Sequence, residues 1–354
     1  MIKSSYSVIG VMSGTSLDGI DLAHITFKFN EGWTFKINNA ETVSYTDFWY
    51  NELSNLVNQD LDSLEIIDTN YTIYLSETIN DFIKKHQLNT LDGICSHGHT
   101  ALHQPEKGLT YQIGNLKQIS ELTKQNVVCD FRVQDVKLGG QGAPLVPIGD
   151  QILFSEYDFC LNLGGFANIS FGKDNSRIAF DICPVNIVLN HYSKKIGFDY
   201  DAYGNIASEG QVNLDLLNEL NGLKFYQLDF PKSLGLEWVN SNIFPLIDRY
   251  QLKVKDVLRT FVEHVVFQIN SVMQQKPNSS ILVTGGGVYN TFLISRLKDF
   301  CQNEIIIPSE DIIEYKEALI FGLLGVLKLR NEINCLASVT GAKHNHSSGV
   351  IFYK

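Results

Sequence analysis

Apolar and polar positions predict strands before helices in the first part of the chain. Residues 7–10 form the end of a buried strand, a polar turn follows, and residues 20–29 alternate as a second strand does. Residues 63–86 place apolar side chains at the spacing of one helix face. Short apolar runs at 93–96 and 126–131 predict two further buried strands.

The second part of the chain repeats this order. A strand, a glycine turn and another apolar run lie in turn at 158–163, 164–165 and 166–171. An amphipathic helix over 260–275 and a buried strand over 280–284 follow, and the apolar residues 317–329 predict a buried helix. Strand hairpins first and helices later, twice over, predict an α/β protein of two domains with a cleft between them.

The stretch 138–144, rich in glycine and ending in proline, is the strongest candidate for a domain crossing. It divides the chain into an N-terminal domain over 1–137 and a C-terminal domain over 138–354, with the C-terminal tail a candidate to pack on the first. A length of 354 residues agrees with two domains.

The composition and net charge limit the partners and the compartment expected for this protein. The net charge is −11 and no stretch concentrates Lys and Arg, so neither nucleic acid nor an anionic membrane surface is an expected partner. The six cysteines are scattered without C-x-x-C spacing, which indicates reduced core residues in a cytoplasmic protein. No segment resembles a signal peptide or a membrane span.

The turn after the first strand is dense in small, hydroxylated and acidic residues. Gly14 and Gly19 permit backbone conformations in which several amides point into one concavity, which suits a phosphate. The other polar residues of the turn are Ser13, Thr15, Ser16, Asp18 and Asp21. Their hydroxyls add donors, and the two carboxylates have the chemistry to hold a metal through water. An ordinary hairpin loop is the alternative.

Three glycine-marked turns follow predicted strands, at 13–19, 164–165 and 285–287. Together they indicate a nucleotide held from two sides, with the first two turns at its phosphates and the third against its sugar or base. A flexible strand-to-helix turn is the alternative for the third.

Three charged residues are candidates for catalysis or sugar binding. Asp181 ends an apolar strand at a turn, where it suits a general base, although a helix N-cap is a common use of such an aspartate. Arg132 suits bidentate bonds to a substrate, and the alternative is that it and Asp130 belong to a structural ion pair across the domain boundary. Glu317 opens the predicted helix, either as a sugar ligand or as a favourable charge at the helix dipole.

His97, His99 and His103 lie close together in the chain, but no further Cys or His set supports a metal site there. Hydrogen bonds in a polar turn are the favoured interpretation. His344 and His346 lie in a polar tail and are expected to be solvated.

Motifs in the same order along almost the whole chain resemble those of the anhydro-N-acetylmuramic acid kinase family. The matching runs lie at 10–21, 96–100, 111–114, 130–132, 139–147, 162–170, 231–235, 285–287, 317–318 and 340–342. The opening run, Gly-Val-Met-Ser-Gly-Thr-Ser-Leu-Asp-Gly-Ile-Asp, and the glycine-rich run at 139–147 are the most specific.

The resemblance implies an actin-like, ribonuclease H-like sugar-kinase fold whose two domains close over ATP and a sugar. It also implies the reaction. The family cleaves the 1,6-anhydro bond of anhydro-N-acetylmuramic acid with water and phosphorylates the freed 6-hydroxyl, a step in recycling bacterial cell wall. Asp181 takes the family's base position. Magnesium is the implied cofactor, and homodimers are common in this superfamily.

The resemblance also assigns binding residues. For ATP and its phosphates they are Gly14, Thr15, Ser16, Leu17, Asp18, Gly19, Ile20, Asp21, Asn162, Gly164, Gly165, Asn168, Gly285, Gly286 and Gly287. For the sugar they are His97, Arg132, Pro184, Asn186 and Glu317. Asp18 is the implied ligand of the metal, through water.

Three positions depart from the family pattern. The family has Asp-Thr-Gly-Pro-Gly-Asn from the base onward, whereas this chain has Cys183 and Val185 in place of the two glycines. His99 replaces a usual Gln. If the family needs positive φ or close backbone approach at the two glycines, the new side chains obstruct it. A kinase for another sugar, and a nucleotide-dependent binding module without turnover, are therefore the alternatives.

Overall fold

The computed structural model describes residues 3–14 and 16–354, so Thr15 of the first glycine turn lies outside the described residues. The chain folds into two compact units. The first contains the residues up to Leu153 together with Tyr315–Lys354, and the second contains Phe154–Glu314. In the described part of the chain, no helix is long and apolar enough to span a membrane.

This division differs from the boundary expected between residues 137 and 138. The backbone N–H groups of Gly140 and Gly142 donate to Asp135, and the N–H of Gln141 donates to the carbonyl of Thr340. These bonds hold the glycine-rich stretch within the first unit. The domain boundary of the sequence analysis stays a prediction.

Thirteen strands are present among the described residues. In chain order, β1 to β13 are Ser5–Ser13, Ile20–Asn30, Gly32–Val43, Gly93–Ser96, His99–Gln104, Leu109–Ile113, Val127–Cys129, Phe159–Leu163, Phe166–Lys173, Ser176–Pro184, Ser280–Thr284, Glu304–Ile306 and Val350–Phe352. The predicted strands at 93–96 and 280–284 are confirmed as β4 and β11 at these bounds. The other predicted strands are confirmed with ends that differ by a few residues.

Fourteen α-helices are present among the same residues. In chain order, α1 to α14 are Asp47–Ser54, Leu61–Lys85, Gln118–Thr123, Val133–Lys137, Val146–Leu153, Asn186–Lys194, Asn205–Ser208, Leu214–Asn221, Leu236–Asn242, Phe244–Asp248, Val254–Met273, Thr291–Phe300, Glu310–Leu329 and Ala337–Thr340. The helix predicted at 63–86 is α2, which begins earlier because Asp60 caps it by accepting from the N–H of Ser63 at 2.8 Å.

The two main sheets repeat one topology. The first unit has the order β13-β7-β4-β1-β2-β3 and the second has β10-β9-β8-β11-β12. In the first unit, β1, β2 and β3 are antiparallel, and β4 and β7 run parallel to β1. In the second unit, β8, β9 and β10 are antiparallel in the same way, and β11 and β12 run parallel to β8. Strand hairpins therefore precede the parallel strands in both units. This confirms the predicted α/β class, with the same strand topology in both units.

Helix α13 packs directly on the sheet of the first unit. A Cβ at Gly10 of β1 would collide with the carbonyl of Ala318, and a Cβ at Gly325 would collide with the side chain of Cys95 in β4. Glycine at these positions therefore permits the close approach of helix and sheet. Because Glu317 precedes Ala318, this packing sets its position beside β1.

Each unit has its own apolar core. In the second unit, helix α11 buries one face against the sheet, with Phe261, Val265 and Ile269 almost fully buried. In the first unit, helix α2 packs Tyr71 and Leu75 into the core on one side of the sheet. The cores hold the ends of the parallel strands in fixed positions, and the candidate site residues follow those ends.

Candidate active site

In the first unit, three segments with candidate site residues each follow the carboxyl end of a strand of the main sheet. The loop at 14–19 follows β1, His97 follows β4, and Arg132 lies shortly after β7. Strands β1, β4 and β7 run parallel, so their carboxyl ends meet at the same edge. Ligands of open α/β sheets bind at this edge. The sequence-predicted residues of the first unit are therefore brought together.

The loop between β1 and β2 is a tight turn. The N–H of Leu17 donates to the carbonyl of Gly14 at 3.2 Å, and Leu17 itself has φ +62°. Gly19 is buried with φ +149°, and a Cβ there would lie 2.7 Å from the carbonyl oxygen of Val43. The fold therefore requires glycine at position 19. Ser16 and Asp18 are exposed, which leaves them open to a ligand.

The hydroxyl of Ser13 does not join the exposed part of this loop. Ser13 is buried, and its Oγ bonds the hydroxyls of Tyr45 at 2.6 Å and Tyr71 at 2.8 Å. Its third partner is Nδ1 of His99 at 2.7 Å. Its expected role as a phosphate donor is therefore wrong, because this network engages the hydroxyl beneath the loop. Burial lowers the pKa of His99 to about 4, so its ring is neutral at neutral pH.

His97 and Arg132 form a buried pair. The Nε–H of Arg132 donates to Nε2 of His97 at 2.9 Å, and Nδ1 of His97 bonds the carbonyl of Gly98 at 2.8 Å. Burial and the charge of Arg132 both lower the pKa of His97, so the ring is neutral. Nη1 of Arg132 donates to the carbonyl of Gly142 at 2.6 Å. Arg132 is thus fixed by His97 and Gly142, and neither Arg132 nor Asp130 forms an ion pair among the described residues.

Glu317 lies near the charge of Arg132 and close to the start of a helical segment. Helix α13 begins at Glu310, but a kink at Tyr315 divides it into two helical segments. Glu317 therefore lies in the first turn of the second segment, so its interpretation as a favourable charge at the helix dipole stays open beside that as a sugar ligand. Glu317 is exposed. The protein atoms around the Glu317 carboxylate displace water and raise its pKa, although the charges of Arg132 and Lys316 oppose this shift. Desolvation lowers the pKa of Arg132 to about 10, and the charge of Glu317 opposes that shift.

In the second unit, three polar side chains form a row across the sheet. The register pairs Asn162 of β8 with Asn168 of β9, and Asn168 with Asp181 of β10. Directly paired residues of antiparallel strands point to the same face. The sequence analysis assigned two of these residues to ATP and one to catalysis, and the structure brings them together.

Asp181 lies inside a strand rather than at its end. Strand β10 continues to Pro184, with a bulge between Asp181 and Cys183. A bulge changes the direction in which the side chains beside it point, and bulges are common next to active sites. Helix α6 begins at Asn186, and its N-cap position is Val185 without a side-chain bond. Asp181 is therefore not a helix cap, and the expected end of the strand at this residue is wrong.

The segment around Lys232 brackets Asp181. The N–H of Asp181 donates to the carbonyl of Lys232 at 3.1 Å, and Oδ2 of Asp181 accepts from the N–H of Leu234 at 2.8 Å. Burial raises the pKa of Asp181, and the bond from Leu234 lowers it, with a net upward shift. Among the described residues, none donates a hydrogen bond to Oδ1 of Asp181, so this oxygen is available to accept a proton. Leu234 is not among the site residues predicted from the sequence, although it lies in the family motif at 231–235, which is the signal for it.

The glycine turn after β8 is tied to the start of helix α6. The N–H of Val185 donates to the carbonyl of Gly165 at 2.8 Å, and the N–H of Asn186 donates to the carbonyl of Gly164 at 3.3 Å. The side-chain amide of Asn186 donates to the carbonyl of Leu163 at 3.4 Å. Pro184 is buried at the end of β10. These residues therefore lie at the same edge as Asp181.

Cys183 and Val185 pack into the apolar core of the second unit. Both side chains are fully buried, and Val185 has a negative φ of −132°. The backbone therefore needs no positive φ at the position where the family has its second glycine. The two substitutions are accommodated by packing, and the obstruction expected from a positive φ does not arise there.

The three glycines after β11 differ from one another. Gly285 has φ +85°, and its missing Cβ leaves room for the carbonyl oxygen of Leu163 at 2.9 Å. Gly287 packs against the same residue. Gly286 has open space around it and is exposed. The fold explains glycine at 285 and 287, so 286 is the position where a ligand could lie against the backbone.

The sequence resembles that of known proteins along its whole length. The model of the family described as anhydro-N-acetylmuramic acid kinase matches residues 6–354. The anhydro-N-acetylmuramic acid kinase of Mannheimia succiniciproducens is 34% identical over 381 residues and covers 100% of both chains. That of Pasteurella multocida is 34% identical over 378 residues and covers 100% of this chain and 98% of its own.

A likeness to a solved structure is weaker. The activator of the 2-hydroxyisocaproyl-CoA dehydratase from Clostridium difficile with bound ADPNP has a TM-score of 0.46 and 15% identity, covering 92% of this chain and 96% of its own. The assignment therefore rests on the sequence matches and not on this likeness. The chain belongs to the anhydro-N-acetylmuramic acid kinase family.

Proposed function

We propose that this chain converts 1,6-anhydro-N-acetylmuramic acid, ATP and water into N-acetylmuramic acid 6-phosphate and ADP, in the recycling of cell wall. Membership of the family supports the kinase activity. The observation that carries the proposal for this chain is Asp181, a half-buried carboxylate at a strand bulge, with one oxygen held by Leu234 and the other available.

Asp181 acts as the general base. Its Oδ1 takes a proton from a water molecule as the water oxygen attacks the anomeric carbon of the sugar. The bond from that carbon to O6 breaks, and O6 then receives the γ-phosphoryl group of ATP. The hydrogen bond from Leu234 to Oδ2 fixes the orientation of the carboxylate, which matters because a base must lie within hydrogen-bond reach of its proton.

Arg132 and Glu317 bind the sugar, and His97, whose two ring nitrogens bond Arg132 and the carbonyl of Gly98, orients Arg132. The guanidinium of Arg132 is held by two bonds, so it is ordered before a ligand arrives. Glu317 is exposed and suits an acceptor for a sugar hydroxyl. Pro184 and Asn186 lie at the edge that carries Asp181, and we assign them to the sugar as well.

The glycine turns bind the nucleotide. The N–H groups of Leu17 and Gly164 donate to the carbonyls of Gly14 and Phe166. Other backbone N–H groups of the loop at 14–21 and of the turn at 164–165 suit phosphate oxygens. The exposed carboxylate of Asp18 has the oxygen donors that Mg²⁺ prefers, and we assign the ion to it through water. Magnesium there would neutralise charge on the phosphates. Asn162 and Asn168, in the row with Asp181, are assigned to the nucleotide.

A product assay tests this proposal. The purified chain is incubated with ATP, Mg²⁺ and a panel of sugars that includes the anhydrosugar, N-acetylglucosamine and glucose. Mass spectrometry should find N-acetylmuramic acid 6-phosphate from the anhydrosugar alone. Phosphorylation of another sugar in preference would favour a kinase of different specificity. ATP binding without turnover on any sugar would favour a binding module.

The compartment and the oligomeric state are also proposed. All six cysteines are free and buried, which supports a reducing cytoplasm. A homodimer stays a prediction, and light scattering during gel filtration tests it.

A further inference from the structure

Three buried side chains with metal-binding chemistry meet in the first unit, outside the site described above. They are Asp135 of α4, Cys335 and His346. Their exposed fractions are 0%, 1% and 5%, and one ligand atom from each lies within 4.8 Å of the others. The expectation that His346 is solvated is therefore wrong, whereas His344 is exposed as expected.

The backbone presents the thiol and the imidazole together. Cys335 and His346 form an antiparallel bridge, in which each N–H donates to the other's carbonyl at 3.1 and 3.2 Å. Directly opposed residues of such a pair carry their side chains on the same side. Both side chains reach Asp135: Oδ1 lies 3.1 Å from Sγ of Cys335 and 3.6 Å from Nε2 of His346.

One nitrogen in the cluster lacks a hydrogen bond. Nδ1 of His346 donates to the carbonyl of His344 at 3.1 Å, while Nε2 is buried and makes no hydrogen bond. Its distance of 3.6 Å from the Asp135 carboxylate is too long for an N–H···O bond. Nε2 is therefore a buried ring nitrogen that faces a carboxylate without a hydrogen-bond partner, and a cation between the two groups would satisfy both. A histidine whose Nδ1–H bonds a backbone carbonyl is in the usual orientation of a metal ligand.

We propose that Asp135, Cys335 and His346 bind a divalent cation of the zinc type. One oxygen, one sulfur and one nitrogen form a donor set that zinc accepts. Metal–ligand lengths of about 2.0–2.3 Å give tetrahedral edges of roughly 3.3–3.8 Å. The 3.6 Å separation fits this range, and the 3.1 Å separation requires a small movement of one side chain. Water supplies the fourth position.

Binding exchanges a proton for the metal. The thiol of Cys335 now donates its proton to Asp135, and burial together with that carboxylate raises its pKa. The cation would displace this proton to solvent and bind the thiolate. Oδ1 of Asp135, which also accepts from the hydroxyl of Thr340 at 2.7 Å, would then bind the metal in place of the thiol hydrogen bond.

The site would tie the C-terminal segment to the loop that holds Arg132. Oδ2 of Asp135 accepts from the N–H of Gly142 at 2.7 Å, and the carbonyl of Gly142 accepts from Arg132. The cation is therefore a structural one, and this inference stands without the proposed function.

Metal analysis and cobalt spectroscopy test the site. The full chain, loaded with zinc and freed of excess metal by gel filtration, should retain about one zinc per chain and melt at a higher temperature than after chelation. Replacement by Co²⁺ should produce a thiolate-to-cobalt charge-transfer band. H346A should weaken zinc binding by at least 10- to 100-fold, the range known for loss of a supporting group, and C335S should remove the band.

Two matched controls separate the site from general effects. H344A changes an exposed histidine two residues away, and C301S changes a buried cysteine of the second unit, so both should keep the zinc. A folded wild-type chain that retains no zinc and shows no cobalt band would overturn the proposal. Equal binding by H346A and wild type would do the same. If C335S or H346A fails to fold, the wild-type cobalt spectrum alone decides.

Discussion

The Nε–H of Arg132 donates to Nε2 of His97 at 2.9 Å. The sequence predicts each of these residues as a candidate but does not show that they are in contact. The hydrogen bond requires a neutral histidine, and both burial and the charge of Arg132 lower the pKa of His97 accordingly. The pair holds a guanidinium at the edge of the sheet, next to the carboxyl ends of the parallel strands. We therefore treat His97 as the residue that orients Arg132.

Replacing His97 should weaken sugar binding more than nucleotide binding. H97A removes the acceptor of a charged hydrogen bond, worth about 1.5–3 kcal/mol, so KM for the sugar should rise roughly 10- to 100-fold. KM for ATP should change little. H103A is the matched control, because His103 is exposed and bonds Thr110. Steady-state kinetics with each substrate varied decide the point, and equal rises in both KM values would contradict it.

The pH dependence of the chemical step should report Asp181. A base must be deprotonated, so the rate falls as pH falls through its pKa. Burial raises the pKa of Asp181, so the loss should begin at a higher pH than for an exposed aspartate. Single-turnover rates across acidic pH measure this limb. Rates that stay constant down to about pH 4, the ordinary range of an aspartate, would contradict the assignment.

The glycines after β11 should respond differently to alanine. G285A and G287A place a Cβ against Leu163, and Gly285 also has positive φ, so each should destabilise the protein by about 1–3 kcal/mol. G286A meets open space and should change stability by less than about 0.5 kcal/mol. It should nevertheless raise KM for ATP if the nucleotide lies against this backbone. Thermal melting and ATP kinetics of the three variants test the contrast.

Restoring the family glycines should damage the chain. C183G and V185G each remove a fully buried side chain from the core of the second unit, at a cost of about 2–4 kcal/mol. Activity on the anhydrosugar should not improve, because Val185 already has a negative φ. Denaturant unfolding and kcat/KM measure both effects. A glycine variant with stability unchanged and activity raised would show that these side chains obstruct the sugar.

Much of the site could be predicted because it follows strand ends. A glycine or polar residue directly after an apolar run is visible in the sequence, and parallel strands bring such positions to one edge. The loop at 14–19 and Gly164 were predicted in this way, whereas His97 was assigned to the sugar only through the family resemblance. Asp181 was found by the same rule, but the bulge that extends its strand to Pro184 has no signal in the hydrophobic pattern.

Other features depend on contacts between distant residues. Cys335 and Asp135 are 200 positions apart in sequence, and only the fold of the tail brings them together. The partners of Ser13 come from three separate elements. The helix predicted from 317 lacks the helical segment that precedes the kink at Tyr315, because four of the seven residues 310–316 are charged and form no long apolar run.

The account depends most on Asp181 as the base of a sugar-dependent kinase. The most direct test measures ADP release from ATP and Mg²⁺, with and without 1,6-anhydro-N-acetylmuramic acid, in wild type and D181N. The asparagine side chain in D181N would keep an oxygen for the N–H of Leu234, so the fold should be unchanged. D174N, in the exposed turn between β9 and β10, is the matched control.

The account predicts sugar-dependent ADP release by wild type and D174N. It predicts a fall of about 10²- to 10⁴-fold in D181N, the usual contribution of a general base. Sugar-dependent release by D181N at the wild-type rate, or none by the folded wild type, would contradict it.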